Sequence, residues 1–356
     1  MGIFLAMEGH LKPYFSLNPE ILRLIAEIDE FKGRWSSTHL LKPERLSHLK
    51  KVATIESIGS STRIEGSKLS DTQVEELLRN IKIYSFRSRD EQEVGGYAEA
   101  IDLVSHHYNE ISFSENYIKQ LHGITLKYSE KDERHRGEYK KFPNSVEAFD
   151  SDGKSIGVIF QSISPFDTPQ KMQELIHWIN AELAQKKLHP LLIISIFIIY
   201  FLKIHPFQDG NGRLSRILTT LLLLKSGYSY VPYSSMEQII EANKDLYYLA
   251  LRQGQMDLES EKSLIGNWIL FFLQSLKTQK QNLEIKLKTE ELLNKLPSLS
   301  MQIIEIIKAH GQSTISEILN ITQANRNTLK LHLKNLVQQK HLAREGQGKG
   351  SRYRLI

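Results

Sequence analysis

Apolar positions recur every three to four residues through most of the chain, the spacing of amphipathic helices. From about Asn18 to Val104 this texture is nearly continuous. "SLNPEILRLIAEIDEFKGRW" predicts a helix with Asn18 as its cap and Pro19 at the first helical position. "SDTQVEELLRNI" predicts a second, opening with Ser70 or Asp71 as N-cap. "EQEVGGYAEAIDLV" predicts another, weakened by Gly95 and Gly96, and "ENYIKQLHGITLKYS" a further one. The pattern changes between Gly137 and Pro165, where turn residues separate short β-rich pieces. There "SDGK" suits a hairpin turn and "IGVIF" a returning strand. Helical spacing resumes at "TPQKMQELIHWINAELA".

The longest apolar run, "LLIISIFIIYFLKI" from Leu191 to Ile204, follows His189-Pro190. A bilayer span needs roughly 20 apolar residues. This run is shorter and holds Ser195 and Lys203, so it predicts a buried core helix. A second apolar helix is expected from about Gly212 to Lys225, stopped by Gly227. "KTQKQNLEIKLKTEELLNKL" predicts a charged helical connector that Pro297 breaks.

The chain has 356 residues, 40% of them hydrophobic, enough for two or three domains with a real core. It contains no cysteine, which excludes disulfides and thiol or Cys-zinc chemistry and fits a cytoplasmic protein. "MGIFLAMEGHLKPYF" has neither the basic start nor the long apolar stretch of a signal peptide, and Ala6 stands where a myristoylation signal has Ser or Thr. No membrane association is expected. The net charge of +5 is mild.

"IHPFQDGNGRLSR", Ile204 to Arg216, puts dense polar chemistry between the two most apolar helices. Pro206 pushes His205 out of helical geometry. Gly210 and Gly212 permit a tight turn, so several backbone N–H groups and a positive helix end converge there, which makes an anion site. Arg213 and Arg216 lie three apart, on one face of the first turn, and Arg forks suit phosphate. Asp209 beside a phosphate is a natural magnesium ligand. His205 can serve as a general base near neutral pH. Together these suit nucleotidyl or phosphoryl transfer to a hydroxyl.

The string resembles the Fic family motif, HPF-x-[DN]-G-N-G-R-x-x-R, at His205, Pro206, Phe207, Asp209, Gly210, Asn211, Gly212, Arg213 and Arg216. The resemblance implies transfer of AMP from ATP to a hydroxyl side chain (Ser, Thr or Tyr) of a target protein. It implies His205 as base and Asp209 holding magnesium between the α- and β-phosphates. Gly210, Asn211 and Gly212 would form the anion hole, Arg213 would bind the γ-phosphate, and Leu214, Ser215 and Arg216 would complete the ATP site. A phosphorylating relative has Lys where this chain has Gly212, which favours AMP transfer. The segment from Gly137 to Pro165, approached by "RGEY", is similar to the family's target-aligning flap. "IIEANKDLYYLAL" resembles the helix on the adenosine side, with Asn243 and Tyr247 as candidates. Upstream, "SSTRIEGS" matches the family's inhibitory motif at Ser61, Glu65 and Gly66. A Glu65 carboxylate against Arg213 would occupy the γ-phosphate position, the arrangement of class II members. Related proteins often form homodimers.

The last sixty residues resemble a winged helix. "STISEILNITQANRNTLKLHLKNLVQQ" has helix-turn-helix character with a second helix from about Gln323, and "LAREGQGKGSRYRLI" suits two strands around a wing. The usual Gly before the first wing strand is replaced by Lys340 and His341. Clustered Arg326, Lys330, Lys334, Lys340, Arg344, Lys349, Arg352 and Arg354 suit nucleic acid, with packing on neighbours, dimerisation or target recruitment as alternatives. The expected fold is mainly α: a helical region carrying the inhibitory motif (1–105), a Fic core with a β-hairpin flap (106–252), a helical connector (253–296) and a winged helix-turn-helix domain (297–356). The rival functions are another donor such as UTP, or a DNA-binding regulator whose pocket only senses nucleotide. An intact His205 argues against a pure sensor.

Overall fold

The computed structural model describes residues 3–4, 14–15, 18–37, 43–80, 86–149, 155–256, 265–294, 296–346 and 348–356. The expected "SDGK" turn and the Gly2 and Ala6 positions lie outside the described residues. The chain divides into two compact units, Met1–Leu283 and Glu284–Ile356.

The first unit opens with a short antiparallel pair, β1 (Ile3–Phe4) and β2 (Tyr14–Phe15). Four helices follow: α1 (Pro19–Ser37), α2 (Pro43–Ile64), α3 (Asp71–Asn80) and α4 (Arg89–His107). The caps act as the sequence suggests. Asn18 Oδ1 accepts the Ile21 N–H at 2.8 Å, and Ser70, rather than Asp71, caps α3 through the Gln73 N–H at 3.3 Å. Then come α5 (Glu115–Thr125), the antiparallel pair β3 (Ser145–Phe149) and β4 (Ser155–Gln161), and α6 (Thr168–Gln185). The core helix α7 (Pro190–Ile204) and α8 (Asn211–Lys225) are joined by the polar loop, and α9 (Met236–Ala242) and α10 (Lys244–Met256) follow.

Every residue of α7 except Pro190 and Lys203 is buried, because α6, α8 and α10 pack around it. Fully burying each such Leu, Ile or Phe contributes about 1.5–3 kcal/mol. Thus α7 is the axis of this unit. Among the described residues no helix is long and apolar enough to cross a membrane. The long α11 (Ile265–Asn294) places Trp268 Nε1 2.7 Å from the Ser195 carbonyl, capturing the polar backbone of α7 beside its one serine.

Gly95 and Gly96 do not merely weaken α4. A Cβ on Gly96 would overlap the Thr125 carbonyl of α5, and one on Gly95 would overlap the Phe86 ring. Gly96 lets α5, which borders the polar loop, approach α4, and Gly95 makes room for the Phe86 ring. Gly96→Ala should therefore destabilise the fold by about 2 kcal/mol or more despite the better helix propensity of alanine. Urea unfolding checks this, and an unchanged or higher midpoint would refute it.

The second unit contains the end of α11, then α12 (Ser298–His310), β5 (Gln312–Thr314), α13 (Ile315–Thr322), α14 (Arg326–Gln338), β6 (Leu342–Glu345) and β7 (Arg352–Leu355). Its sheet runs β5-β7-β6, all antiparallel. Ile303, Ile307, Ile318, Leu329, Leu333, Leu336 and Tyr353 form its core. The second helix of the expected helix-turn-helix starts later than Gln323. Gln323 takes φ 52° and turns the chain, and Asn325 caps α14 by accepting the Asn327 N–H at 2.9 Å. Lys340 adopts φ 61°, performing the turn that glycine usually makes before such a strand.

Candidate active site

The loop between α7 and α8 is held by its own motif residues. His205 ends α7 in left-handed geometry, φ 51° and ψ 60°, with its N–H donated to the Phe201 carbonyl at 2.9 Å. Gly210 caps α8 at φ 78°. The Asn211 side chain is 1% exposed and staples the turn: Oδ1 accepts the Phe207 N–H at 3.0 Å and Nδ2 donates to the Phe207 carbonyl at 2.7 Å. Leu214 and Ser215 point inward. The Leu214 N–H is taken by the Gly210 carbonyl at 2.9 Å, and Ser215 Oγ donates to the Gly212 carbonyl at 2.7 Å.

The charges around this turn form two separate groups. Arg213, 2% exposed, lies between the Glu93 carboxylate of α4 at 3.1 Å and the Asp209 carboxylate at 3.3 Å. Glu93 is itself tied to Arg89 Nε at 2.7 Å. Burial pushes the Asp209 carboxyl up, but Arg213, the Gly210 N–H and Arg89 outweigh it and hold it below its usual range. The second group contains Glu65. The carboxylate was expected against Arg213; it pairs instead with Arg216 Nη2 at 2.8 Å. The reason is that Arg213 is already enclosed by Glu93 and Asp209, while α2 packs against α9 and α8 on the Arg216 side.

Ser61 completes the Arg216 cage. Its Oγ accepts from Arg216 Nε at 2.7 Å and its carbonyl accepts from Nη2 at 2.9 Å. Burial opposes the Arg216 charge, but Glu65, Tyr247 and Tyr97 together outweigh burial and raise the guanidinium pKa. Glu65 Oε1 also lies where a Cβ on Gly212 would sit, so a carboxylate rests directly on the first turn of α8. Gly66 turns the chain after α2 at φ 105°. Arg63 anchors this corner, with Nε 2.6 Å from Glu241 Oε1 and Nη1 2.8 Å from Asp71 Oδ1.

The two adenosine-side candidates differ in placement. Tyr247 is 4% exposed with its hydroxyl beside Arg216. Asn243 is exposed and its Nδ2 donates to the Ile239 carbonyl at 2.8 Å, ending α9.

Three contributors carried no local signal in the sequence. Glu93 is one. His122, on α5, is another: its ring stacks on Phe207 at 3.8 Å and 10°. The Gly137 N–H can only donate, to Nδ1 at 2.8 Å, so Nε2 carries the proton and donates to the Asp209 carbonyl at 2.9 Å. The third is Lys140, 3% exposed, whose Nζ donates to the Ile204 carbonyl at 2.9 Å, Asn144 Oδ1 at 3.0 Å and Ser162 Oγ at 2.7 Å. Its N–H also donates to the Pro206 carbonyl at 2.9 Å. Lys140 thus ties the backbone ahead of β3 to the residues flanking His205.

Burial lowers the Lys140 pKa to about 8. Burial, reinforced by the Lys140 charge, lowers the half-buried His205 to about 4, and burial lowers His122 to about 4 as well. Both imidazoles are therefore neutral at pH 7. Between the ordinary histidine value of 6.5 and about 4 the unfolded chain binds more protons than the folded one. Stability should fall as pH drops through that window, by about 1 kcal/mol per pH unit from each buried group. His122→Gln should remove roughly half of this slope. Urea midpoints at several pH values test it; a flat profile would contradict the burial of both rings.

Residues 112–223 match the family model of the Fic/DOC family, a span that includes His122, Lys140 and the whole polar loop but not Glu65, Glu93, Asn243 or Tyr247. The chain is 29% identical over 212 residues to a protein named protein adenylyltransferase Fic from Drosophila mojavensis, covering 58% of this chain and 38% of that one. It is 29% identical over 214 residues to the protein of the same name from Drosophila grimshawi, covering 58% and 40%. The chain thus spans about two fifths of the length of the curated relatives it matches. Its fold matches a Fic family protein from Desulfovibrio desulfuricans with a TM-score of 0.62 at 22% identity, over 97% of this chain and 98% of the other. It also matches Fic-1 from C. elegans at 0.58 and 20% identity, over 76% and 72%.

Proposed function

Taking residues 112–223 as a Fic/DOC domain, we propose that the protein is an autoinhibited adenylyltransferase that moves AMP from ATP to a hydroxyl side chain of a target protein. The observation that carries this reading is the carboxylate of Glu65 resting on the first turn of α8 and paired with Arg216. A site that holds one anion this way is built for anions. The relatives' name, protein adenylyltransferase, supports the kind of transfer.

In this reading the Gly210–Gly212 turn and Arg216 cradle the phosphates once Glu65 has left. Arg213 Nε is buried without an acceptor, and its guanidinium, set by Glu93, lends positive charge from behind the turn. Neutral His205 takes the proton of the target hydroxyl, whose oxygen then bonds to the α-phosphorus. The bond to the β-phosphate oxygen breaks and pyrophosphate leaves. The β3–β4 pair serves as the flap, presenting the target backbone beside His205. Asn243 and Tyr247 lie on the adenosine side.

Magnesium fits this site through Asp209. Among the described residues there is no group of three His, Asp or Glu side chains that could hold a metal alone. A magnesium ion needs only one or two carboxylates when phosphate oxygens and water supply the rest, and Asp209 is one-third exposed and now balanced by Arg213 and Arg89. When bound, the ion would neutralise charge on the departing pyrophosphate.

Glu65 is the proposed off-switch. ATP would reach Arg216 only by displacing the partly exposed Glu65 carboxylate from a guanidinium that is buried and also bonded to Ser61. The test is incubation of the protein and candidate targets with ATP labelled on the α- or the γ-phosphate. Label from the α-position alone supports AMP transfer. Label from the γ-position, or from UTP in preference to ATP, would replace it with another donor chemistry.

A further inference from the structure

The second unit holds charge that the proposed transfer does not use. From Pro297 onward the sequence has nine Lys and Arg against three Glu, an excess larger than the +5 of the whole chain. Two of the three acids are committed locally. Glu345 pairs with Arg354, and Glu317 closes the capping box of α13 by accepting the Thr314 N–H at 2.7 Å. By contrast Arg326, Lys330, Lys334, Lys340 and Arg352 are exposed, and their side chains make no hydrogen bond or ion pair among the described residues.

Three of these cations form a stripe on α14. Leu329, Leu333 and Leu336 turn inward, which leaves Arg326, Lys330 and Lys334 outside at successive four-residue steps. They span about 12 Å of helix. Like charges at that spacing repel by a few tenths of a kcal/mol per pair, so the stripe is a cost to the helix in isolation. Asn327 and Leu331 are exposed beside it, Leu331 to 57%. Asn suits an adenine edge and an aliphatic side chain suits a thymine methyl. The short α13, the Gln323 turn and α14, followed by the β6–β7 strands with exposed Arg352, give the element order of a DNA-reading helix-turn-helix with a wing.

We infer that the second unit binds duplex DNA, with α14 in the major groove and the five unpaired cations on phosphates. This is independent of AMP transfer. An acidic protein surface would also attract the stripe, but it would not use the base-edge chemistry of Asn327 and Leu331.

The test is fluorescence anisotropy of the full chain with a labelled random-sequence DNA duplex pool at increasing KCl. With five phosphate contacts the log-log salt slope should approach about −4.5, a loss of about 10²–10³-fold between 50 and 200 mM. Lys330→Ala should reduce the slope by about 1, and Lys330→Glu with Lys334→Glu should abolish binding while leaving the melting temperature unchanged. His205→Ala should bind as the wild type does, so loss of the enzymatic reading would not touch this one. No binding at low salt, binding indifferent to the double substitution, or equal affinity for the separated strands would overturn the inference. So would a double variant that changes only self-association.

Discussion

Glu65→Gly raises the initial rate of AMP transfer by roughly 10- to 100-fold at fixed ATP, the range that follows from losing a charge-assisted pair of about 1.5–3 kcal/mol. In the proposed reading, ATP entering the wild-type site must expel a carboxylate that sits on the Gly212 turn and holds Arg216 at 2.8 Å. The substitution removes that competitor and leaves Arg216 its two bonds to Ser61. Glu65 follows the last residue of α2, so glycine there breaks no helical turn. Glu65→Gln separates charge from shape: it fills the same space without the ion pair and should activate by an intermediate amount. Rates for both variants equal to wild type, with targets in excess, would show that Glu65 does not gate the site.

In the Glu65→Gly background, His205→Ala lowers the transfer rate by about 10²- to 10⁴-fold, the usual contribution of a positioned base. ATP affinity measured by calorimetry should hardly change, because the proposed phosphate cradle consists of the Gly210–Gly212 turn and Arg216 rather than the imidazole. The sign of the pH dependence follows from the half-buried ring and the nearby Lys140 charge. His205 is lowered to about 4, so it remains the unprotonated base throughout the neutral range and base catalysis is lost only as pH falls toward that value. A double variant that retains most of the activity, or loses ATP binding in parallel with rate, would assign His205 to binding rather than to proton transfer.

Much of this was legible locally. Asn18-Pro19, Ser70, His189-Pro190 and Gly227 mark helix ends because caps and stops act within three or four residues of themselves. The polar loop was visible for the same reason: Pro206, Gly210 and Asn211 shape their own turn through bonds four residues long or shorter. Even the core helix α7 followed from its unbroken apolar run.

What the spacing left open depended on contacts made far along the chain. Arg213 and Arg216 occupy one helical turn, and nothing local tells which of them meets Glu65. The packing of α2 and the prior claim of Glu93 on Arg213 decide it, across separations of 151 and 120 positions. His122 lies in an ordinary amphipathic helix and becomes a brace of the loop only because α5 brings it to the Asp209 carbonyl 87 residues away. Gly96 lowers helix propensity when read singly, yet it is what allows α5 to approach that closely. Backbone propensity and capping are short-range and therefore written in neighbouring residues. The pairing of buried charges belongs to the packed core, where the geometry of several helices together decides which carboxylate reaches which guanidinium.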